Sequence, residues 1–296
     1  MKKVSVVLPV YNGEQSIEKA ITSVLTQTYE NLEIIVVNDC STDGTKAIIE
    51  KYASLDSRVN VINNETNQKL PRSLNIGFRS ATGDYLTWTS DDNQYHVNAI
   101  EKMVRFLDQN EDYDLVYTDF SVVYMDGTLR EKARKDEPDK IKYINPVGAC
   151  FLYRRELAER IGEYDPDMFL AEDYEYWIRA YLNGNLHHIS EDLYDYGWHD
   201  KSLTSTRTAE IRKQTYKAKF KYEKGLLERC VNQDERNLFY WEQLCLIDDK
   251  KTFGEVRKAY YLNDGNFMKA DRKKRVQDAF KSVMSIPSRV IARIKR

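Results

Sequence analysis

Short apolar runs alternate with helix-like runs along the first hundred residues. The apolar runs are rich in β-branched side chains, which is typical of buried strands. Between them, apolar residues recur at the three- and four-residue spacing of an amphipathic helix. This alternation predicts an α/β fold, in which helices cover both faces of a mostly parallel, Rossmann-like sheet. The predicted strands lie at residues 4–8, 32–37, 59–62 and 85–88, and the predicted helices lie near residues 17–25, 45–49, 71–78 and 97–107.

The pattern changes after about residue 110. A strand-rich stretch at residues 115–125 ends in a turn at Asp126–Gly127, and a charged connection follows at residues 132–142. A strand at residues 150–153 and an aromatic helix that opens at Glu172 come next. Beyond residue 208 the pattern is helical and polar. We therefore predict one domain of residues 1–207, with halves at 1–110 and 111–207, and a C-terminal helical appendage of residues 208–296.

Composition narrows the possible classes of protein. A net charge of -2 leaves no global basic field, so we expect no nucleic-acid partner. The four cysteines form no C-x-x-C pair, which argues against a disulfide framework or a zinc site and favours a reducing compartment. No signal-peptide pattern and no apolar run of roughly 20 residues is present. We expect a cytoplasmic protein.

Polar residues follow several of the predicted strands. Ligands of parallel sheets bind at the carboxyl ends of the strands. Pro9–Asn12, Asp39 and Ser90–Asp92 therefore line one predicted crevice.

Two of these acidic segments have a chemical and a structural interpretation. The adjacent carboxylates of Asp91 and Asp92 repel each other unless a hard cation such as Mg²⁺ or Mn²⁺ binds, but Asp92 could also cap a helix. Asp39 could accept a hydrogen bond from a base or a ribose, as acidic residues do in dinucleotide folds. For Asp43 the sequence favours helix capping.

A third acidic pair, Glu172–Asp173, precedes Tyr174, Tyr176 and Trp177. Aromatic rings beside a carboxylate suit the faces of sugars, although such pairs commonly open helices and such rings are more often core. Absent motifs exclude other enzymes. The chain has no G-x-G-x-x-G, no P-loop sequence and no G-x-S-x-G elbow.

Taken in order, these segments resemble a known family. Val4-Ser-Val-Val-Leu-Pro-Val-Tyr-Asn-Gly13, the run from Asn38-Asp39 to Thr45, and Gly83-Asp84-Tyr85 before Ser90-Asp91-Asp92 are similar to family-2 glycosyltransferases of the GT-A fold. The segment starting at Glu172-Asp173 resembles the family's E-D motif. The resemblance covers residues 1–207, and Trp88 to Tyr95 is particularly similar to the spore-coat polysaccharide branch.

The resemblance implies a nucleotide-binding half at residues 1–110 and an acceptor half at 111–207. Asp39 would accept from uracil or another base, and either Lys69 or Arg72 would serve the phosphates or the base. The other residues implied to bind the nucleotide are Pro9, Val10, Tyr11 and Asn12.

The resemblance also implies a metal site and a catalytic base. Asp91 would contact the ribose or the metal, and Asp92 would ligate Mn²⁺ or Mg²⁺ under the diphosphate. His199 would join the metal or the pyrophosphate, or else be structural. Asp173 would be the general base. Many relatives have Asp where this chain has Thr89, so the metal prediction depends on Asp91 and Asp92.

We expect an inverting transferase that moves a sugar from a nucleotide-diphosphate sugar, with uridine as the default nucleotide and thymidine second, to a hydroxyl of a glycan or lipid-linked acceptor. The resemblance places it in cell-envelope polysaccharide synthesis. Two alternatives stay open: a sugar nucleotidyltransferase, and a nucleotide-sugar-binding module that has lost catalysis. The former would need a basic, Gly-rich loop after the first strand, and the loop from Tyr11 to Glu14 has no cation.

The stretch from Lys269 to Arg296 is strongly basic and has apolar residues at helix spacing. This pattern suits a helix that lies on an anionic membrane, and it equally suits a solvated tail packed on its own domain. The first interpretation predicts weak peripheral contact with the inner face of the membrane.

Overall fold

The computed structural model describes residues 1–200 and 202–284, with side chains described as far as residue 278. The chain divides into two compact units, the first spanning Met1–Lys219 and the second beginning at Phe220. The division falls inside a helix, α8 (Thr208–Lys221), whereas the sequence suggested a boundary at residue 207.

One mixed sheet forms the centre of the first unit. Its strands are arranged in the order β3-β2-β1-β4-β8-β6-β9-β5, and β7 pairs with β6 beside this path. The strands from β3 to β4 are parallel, β8 runs antiparallel to β4 and β6, and β9 is parallel to β6. The strands are β1 (Val4–Val10), β2 (Leu32–Asn38), β3 (Val59–Asn63), β4 (Tyr85–Trp88), β5 (Gln94–Tyr95), β6 (Leu115–Tyr124), β7 (Leu129–Ala133), β8 (Phe151–Arg154) and β9 (Leu186–Trp198).

Helices pack on the sheet because each presents an apolar stripe to buried strands. Every residue of β1 and β2 is buried, so these strands need cover on both faces. In α4, Ile100, Met103 and Leu107 form such a stripe and are fully buried. The helices of the first unit are α1 (Ile17–Leu25), α2 (Thr45–Leu55), α3 (Leu70–Ser80), α4 (Ala99–Gln109), α5 (Arg155–Ile161), α6 (Glu172–Asn183) and α7 (Leu203–Thr206), followed by α8; 3₁₀ turns occupy Pro138–Lys142 and Pro166–Met168.

The predicted α/β class is confirmed, and the predicted turn at Asp126–Gly127 joins β6 to β7. The charged connection at residues 132–142 is more ordered than its composition suggested. It contains the end of β7 and a 3₁₀ turn, with Ile141 and Lys142 buried.

A buried carboxylate, Glu33, lies near the start of β2. It accepts hydrogen bonds from the Lys3 ammonium at 2.7 Å and from the Ser5 hydroxyl at 2.6 Å, and Thr82 also donates to it. Burial would raise the pKa of Glu33, but these donors outweigh burial and lower it to about 2. Glu33 is a structural charge whose donors compensate for its burial.

The described residues of the second unit form helices joined by short turns. Its helices pack around the buried ring of Phe267, which lies 4.7 Å from Tyr240 between ring centroids. The buried Asp271 carboxylate accepts from the indole of Trp241 and from the hydroxyl of Tyr261. The helices are α9 (Glu223–Glu228), α10 (Gln233–Cys245), α11 (Lys250–Asn263) and α12 (Gly265–Met284).

The basic tail predicted from the sequence lies partly outside the described residues, because its continuation at residues 285–296 is not described. Within α12, residues 272–278 are all exposed, and they include Arg272, Lys273, Lys274 and Arg275. Among the helices that the structure describes, none has the length and apolarity needed to cross a membrane.

Candidate active site

The carboxyl ends of β1, β2 and β4 meet at one edge of the sheet. Val10 of β1 is in register with Asn38 of β2, and Val7 is in register with Trp88 of β4. The loops that follow these strands therefore emerge together. These strand ends and loops carry Pro9–Asn12, Asp39 and Ser90–Asp92, the segments predicted to line one crevice.

The loop after β1 is held by the loop after β2. Asn12 has a left-handed backbone with φ of 57°, and its side-chain oxygen accepts from the Thr42 N–H at 2.8 Å. The Asn12 N–H donates to the Ser41 hydroxyl at 3.0 Å. Tyr11, which directly precedes Asn12, is 52% exposed, whereas Pro9 and Val10 are buried in β1. Only Tyr11 and Asn12 of this predicted segment therefore present side chains at the surface.

Asp39 has more protein partners than the sequence suggested. Its buried carboxylate accepts from the Asn64 amide at 2.8 Å and from the N–H groups of Gln68 at 2.7 Å and Lys69 at 3.0 Å. Asp39 thus anchors the segment from residue 64 to 69. Because a carboxylate has about four acceptor positions, one position is left for a ligand.

The two basic candidates near Asp39 are not equivalent in backbone geometry. Lys69 has φ of 69° and precedes α3, while Arg72 lies in the first turn of that helix. Both side chains are exposed, and the structure does not choose between them.

Asp43 makes local contacts just before α2, but the N-cap position that the sequence favoured for it is occupied by Gly44. Its carboxylate accepts from the N–H and the hydroxyl of Thr45 and from the Glu14 N–H. These hydrogen bonds lower the pKa of Asp43 against the opposing effect of its burial.

Asp91 and Asp92 lie partly buried beside β1. The Ser16 hydroxyl donates to Asp91 at 2.8 Å, and a Cβ at Gly13 would collide with the same carboxylate. Only glycine therefore allows the loop after β1 to approach Asp91 so closely. Burial raises the pKa of Asp91, and burial followed by the charge of Asp91 raises the pKa of Asp92 to about 6.

His199 faces this pair, because its Nε2 lies 3.3 Å from Asp92 Oδ2. Within residues 1–200 and 202–284 no group of three or more His, Cys, Asp or Glu side chains is arranged to hold a metal ion. The donor set nevertheless fits a hard cation, since two neighbouring carboxylates repel each other and an imidazole lies against one of them. Asp91, Asp92 and His199 as metal ligands stay a prediction.

Thr89 is buried, and its hydroxyl lies 2.6 Å from that of Tyr194. This position supports the sheet.

Glu172 and Asp173 begin α6 and differ in their partners. Glu172 accepts from the Leu170 N–H at 2.7 Å, and Leu170 has φ of 78°, so Glu172 holds a strained turn in place. Asp173 accepts from the Asn145 amide at 2.9 Å. Burial and then the charge of Asp173 raise the pKa of Glu172 to about 8, while burial also raises the pKa of Asp173.

The aromatic residues beside this pair belong to the core, which was the alternative that the sequence favoured. Trp177 is fully buried, and the ring of Tyr176 stacks on Tyr164 at 4.0 Å between centroids. The half-buried Trp88 donates from its indole to the Tyr164 hydroxyl at 3.0 Å.

Three residues at the site were not foreseen: Ser16, Asn64 and Asn145. The side chain of each contacts one of the predicted carboxylates, which lies far from it in the sequence. The only signal for Asn145 is its place in Asn145-Pro-Val-Gly148, which predicts a turn but not a contact with Asp173.

Comparison with known proteins identifies a family and relatives for this chain. Residues 5–162 match the model of the family described as Glycosyl transferase family 2. An uncharacterized glycosyltransferase of Haemophilus influenzae is 30% identical over 73% of this chain and 72% of its own length. A putative teichuronic acid biosynthesis glycosyltransferase of Bacillus subtilis, TuaG, is 27% identical over 71% of this chain and 84% of its own.

Solved structures share the fold at low sequence identity. TarS of S. aureus (residues 1–349), in complex with UDP, superposes with a TM-score of 0.60 at 20% identity, covering 92% of both chains. The mannosyltransferase PcManGT of Pyrobaculum calidifontis, in complex with GDP-Man and Mn²⁺, gives 0.62 at 15% identity, covering 94% of this chain and 81% of its own. From the match over residues 5–162 and the strand-end carboxylates together, the chain belongs to glycosyl transferase family 2.

Proposed function

We propose that this glycosyltransferase transfers a sugar, with inversion, from a uridine-diphosphate sugar to an acceptor hydroxyl in cell-envelope polysaccharide synthesis. The observation that carries the proposal is the meeting of the strand ends of β1, β2 and β4, which brings Asp39, Asp91 and Asp92 to one edge of the sheet. His199 contacts Asp92 at this edge, with Nε2 3.3 Å from Oδ2.

In this mechanism Asp173 removes the proton of the acceptor hydroxyl as the new bond forms at the anomeric carbon. Asp39 accepts from the imide N–H of uracil through its remaining acceptor position. Asp91, Asp92 and His199 would hold Mn²⁺ or Mg²⁺, which when bound neutralises the charge that gathers on the leaving diphosphate. Glu172 keeps the start of α6 in position.

Relatives support a nucleotide-sugar donor, a divalent metal and the pathway, and TarS among them supports uridine as the nucleotide. A TarS structure contains UDP-GlcNAc, the PcManGT structure contains GDP-Man with Mn²⁺, and the name of TuaG refers to teichuronic acid. A closer assignment to the spore-coat polysaccharide branch stays a prediction that depends on the segment from Trp88 to Tyr95.

The sugar nucleotidyltransferase is the second candidate enzyme. It would need cations in the loop after β1, but that loop carries Glu14, whose carboxylate accepts from the Gly44 N–H at 2.7 Å. A module without catalysis would still bind the nucleotide-sugar, so only turnover separates it from the proposed enzyme.

The α12 surface supports a further part of the proposal, a weak contact with an anionic membrane. Arg272, Lys273 and Arg275 are exposed on this helix, and Lys274 covers the Trp241 ring at 4.1 Å. Each basic residue near such a surface contributes about 1 kcal/mol.

The donor and the metal are tested together. With Mn²⁺ and an acceptor extract of envelope glycans, we expect release of UDP from a UDP-sugar in a panel that includes dTDP- and GDP-sugars. Asp92→Ala should abolish transfer and remove the metal dependence of UDP binding in calorimetry. Asp43→Ala is the matched control and should change little, because the Asp43 carboxylate accepts hydrogen bonds from Thr45 and is not predicted to bind the metal. Metal dependence that survives in Asp92→Ala would place the cation elsewhere, and release of pyrophosphate would indicate the nucleotidyltransferase.

For Asp39, we expect Asp39→Ala to weaken UDP binding by about 1–3 kcal/mol, the scale of a hydrogen bond that involves a charge. Part of that loss would come from the loop that Asp39 anchors. Asn64→Ala loosens the same loop but leaves the carboxylate, so it should cost less. The native protein should prefer UDP to CDP, because an unprotonated cytosine N3 has no proton to donate. Equal affinity for both nucleotides would argue against the assignment.

For Asp173, replacement by Asn retains the shape and removes the ability to accept a proton. We expect kcat to fall by about 10²–10⁴-fold while the affinity for the donor barely changes. Glu172→Gln is the matched control, since Gln can still accept from Leu170, and it should cost far less. Single-turnover transfer and donor binding measure both variants. A large loss in Glu172→Gln with turnover retained in Asp173→Asn would assign the base to Glu172.

For the membrane contact, the full chain should sediment with vesicles rich in phosphatidylglycerol and not with phosphatidylcholine vesicles. Combined substitution of Arg272, Lys273 and Arg275 by Gln should remove most of this binding. The same change at the exposed Lys250, Lys251 and Lys258 of α11 serves as the control and should leave it. Equal sedimentation of both variants would contradict the role of α12.

A further inference from the structure

The segment between β7 and β8 contacts Asp173, the proposed base, which lies in the first turn of α6. Asn145, in this segment, donates from Nδ2 to Asp173 Oδ2 at 2.9 Å. The contact joins residues that are 28 positions apart in sequence. A hydrogen bond to a charged carboxylate is about twice as strong as one between neutral groups.

Asn145 is itself held at two other atoms. Its side-chain oxygen accepts from the Gly148 N–H at 3.3 Å, which orients the amide so that its NH₂ group faces Asp173. Its backbone oxygen accepts from the Lys135 ammonium at 3.4 Å. Gly148 has φ of 70°, and a Cβ there would lie 2.7 Å from the Phe120 ring and 3.0 Å from Lys135 Nζ. The turn is therefore closely packed and leaves Asn145 little freedom.

Lys135 is also held through its backbone. Its N–H donates to Asp119 at 2.7 Å, and the same Asp119 oxygen contacts His188 Nε2 at 2.8 Å. The Lys135 ammonium lies 5.2 Å from the centroid of the Phe120 ring. Burial lowers the pKa of Lys135, and the charges of Asp136, Asp173 and Asp119 oppose that shift. The Lys135 ammonium therefore contacts the residue that donates to Asp173.

We propose that Asn145 and Lys135 are positioning residues for the general base: Asn145 orients the Asp173 carboxylate toward the acceptor hydroxyl, and Lys135 stabilises its charged form. This inference rests on the proposed role of Asp173. Neither residue touches the reacting atoms; both act through Asp173.

Several groups surround Asp173, and they act in opposite directions. Burial raises its pKa, whereas the Asn145 amide, the N–H groups at the start of α6 and the Lys135 charge lower it. Glu172 lies next to it on the same helix, and the pKa values of Tyr164 and Tyr196, on other elements, are raised by burial and further by the charge of Asp173. Since the base must be deprotonated to act, kcat rises with pH through the pKa of Asp173. Removing either Asn145 or Lys135 raises that pKa further, so the acid limb moves to higher pH.

The test measures kcat against pH together with UDP affinity. We expect Asn145→Ala to lower kcat by about tenfold near neutral pH and to move the acid limb upward by about one pH unit, with UDP affinity unchanged. Asn110→Ala is the matched control. Asn110 is also half-buried and donates to one oxygen, the Phe106 carbonyl at 2.8 Å, and its loss should leave the limb in place.

A pair of Lys135 variants isolates the charge. Lys135→Met keeps the aliphatic stem against Phe120 and should move the acid limb upward, whereas Lys135→Arg should hold it near the native position. If Asn145→Ala does not fold, this pair and Asn145→Ser provide the same test. A fall in kcat with an unmoved acid limb in both Asn145→Ala and Lys135→Met would overturn the proposal.

A double-substitution cycle separates this inference from the proposed function. In an Asp173→Asn background, Asn145→Ala should cause no further loss, because the group that it positions is already inactive. An additional tenfold loss there would show that Asn145 acts independently of Asp173. Near-native turnover of Asp173→Asn alone would instead overturn the base, and the positioning role with it. A large loss in Asp173→Asn with an unmoved limb in the Asn145 variants overturns only the positioning.

Discussion

Parallel pairing of β1 with β2 on one side and with β4 on the other is the constraint on which the site depends. Because all three strands run in the same direction, their carboxyl ends and the loops that follow are brought to one edge. The register places Val10 opposite Asn38, so the loops that contain Asn12 and Asp39 contact each other directly. No single loop could hold the acidic groups in this arrangement, and each loop is held by its neighbour.

The same sheet holds two kinds of buried carboxylate. Glu33 has a cation and two hydroxyl groups around it, and its pKa falls to about 2. Asp92 has a second carboxylate beside it, and its pKa rises to about 6. Hydrogen bonds compensate for the burial of Glu33, whereas Asp91 and Asp92 repel each other. The unfavourable charge–charge interaction therefore lies at the crevice. That contrast separates a structural charge from the carboxylates that are predicted to bind a cation.

The sequence predicted the parallel half well because apolar, β-branched runs and helix spacing are local signals. It did not predict β9 (Leu186–Trp198), whose mixture of polar and half-buried residues has no apolar run. This strand forms through its long parallel pairing with β6, which includes register shifts that no local pattern encodes. Asn145 and the anchoring role of Asp39 were missed for the same reason, since each depends on partners about 25–30 residues away. Local chemistry identified the carboxylates, and tertiary contacts decided their surroundings.

Three residues around the crevice, Asn12, Cys40 and Lys69, have left-handed backbones although none is glycine. Each such conformation costs of order 1 kcal/mol, and β-branched replacements would suffer most. A library that aims to change the donor by randomising these positions would therefore consist largely of destabilised proteins. Tyr11 is exposed in the same crevice and has no left-handed constraint. Directed evolution of sugar or nucleotide preference would explore far more folded variants by starting there.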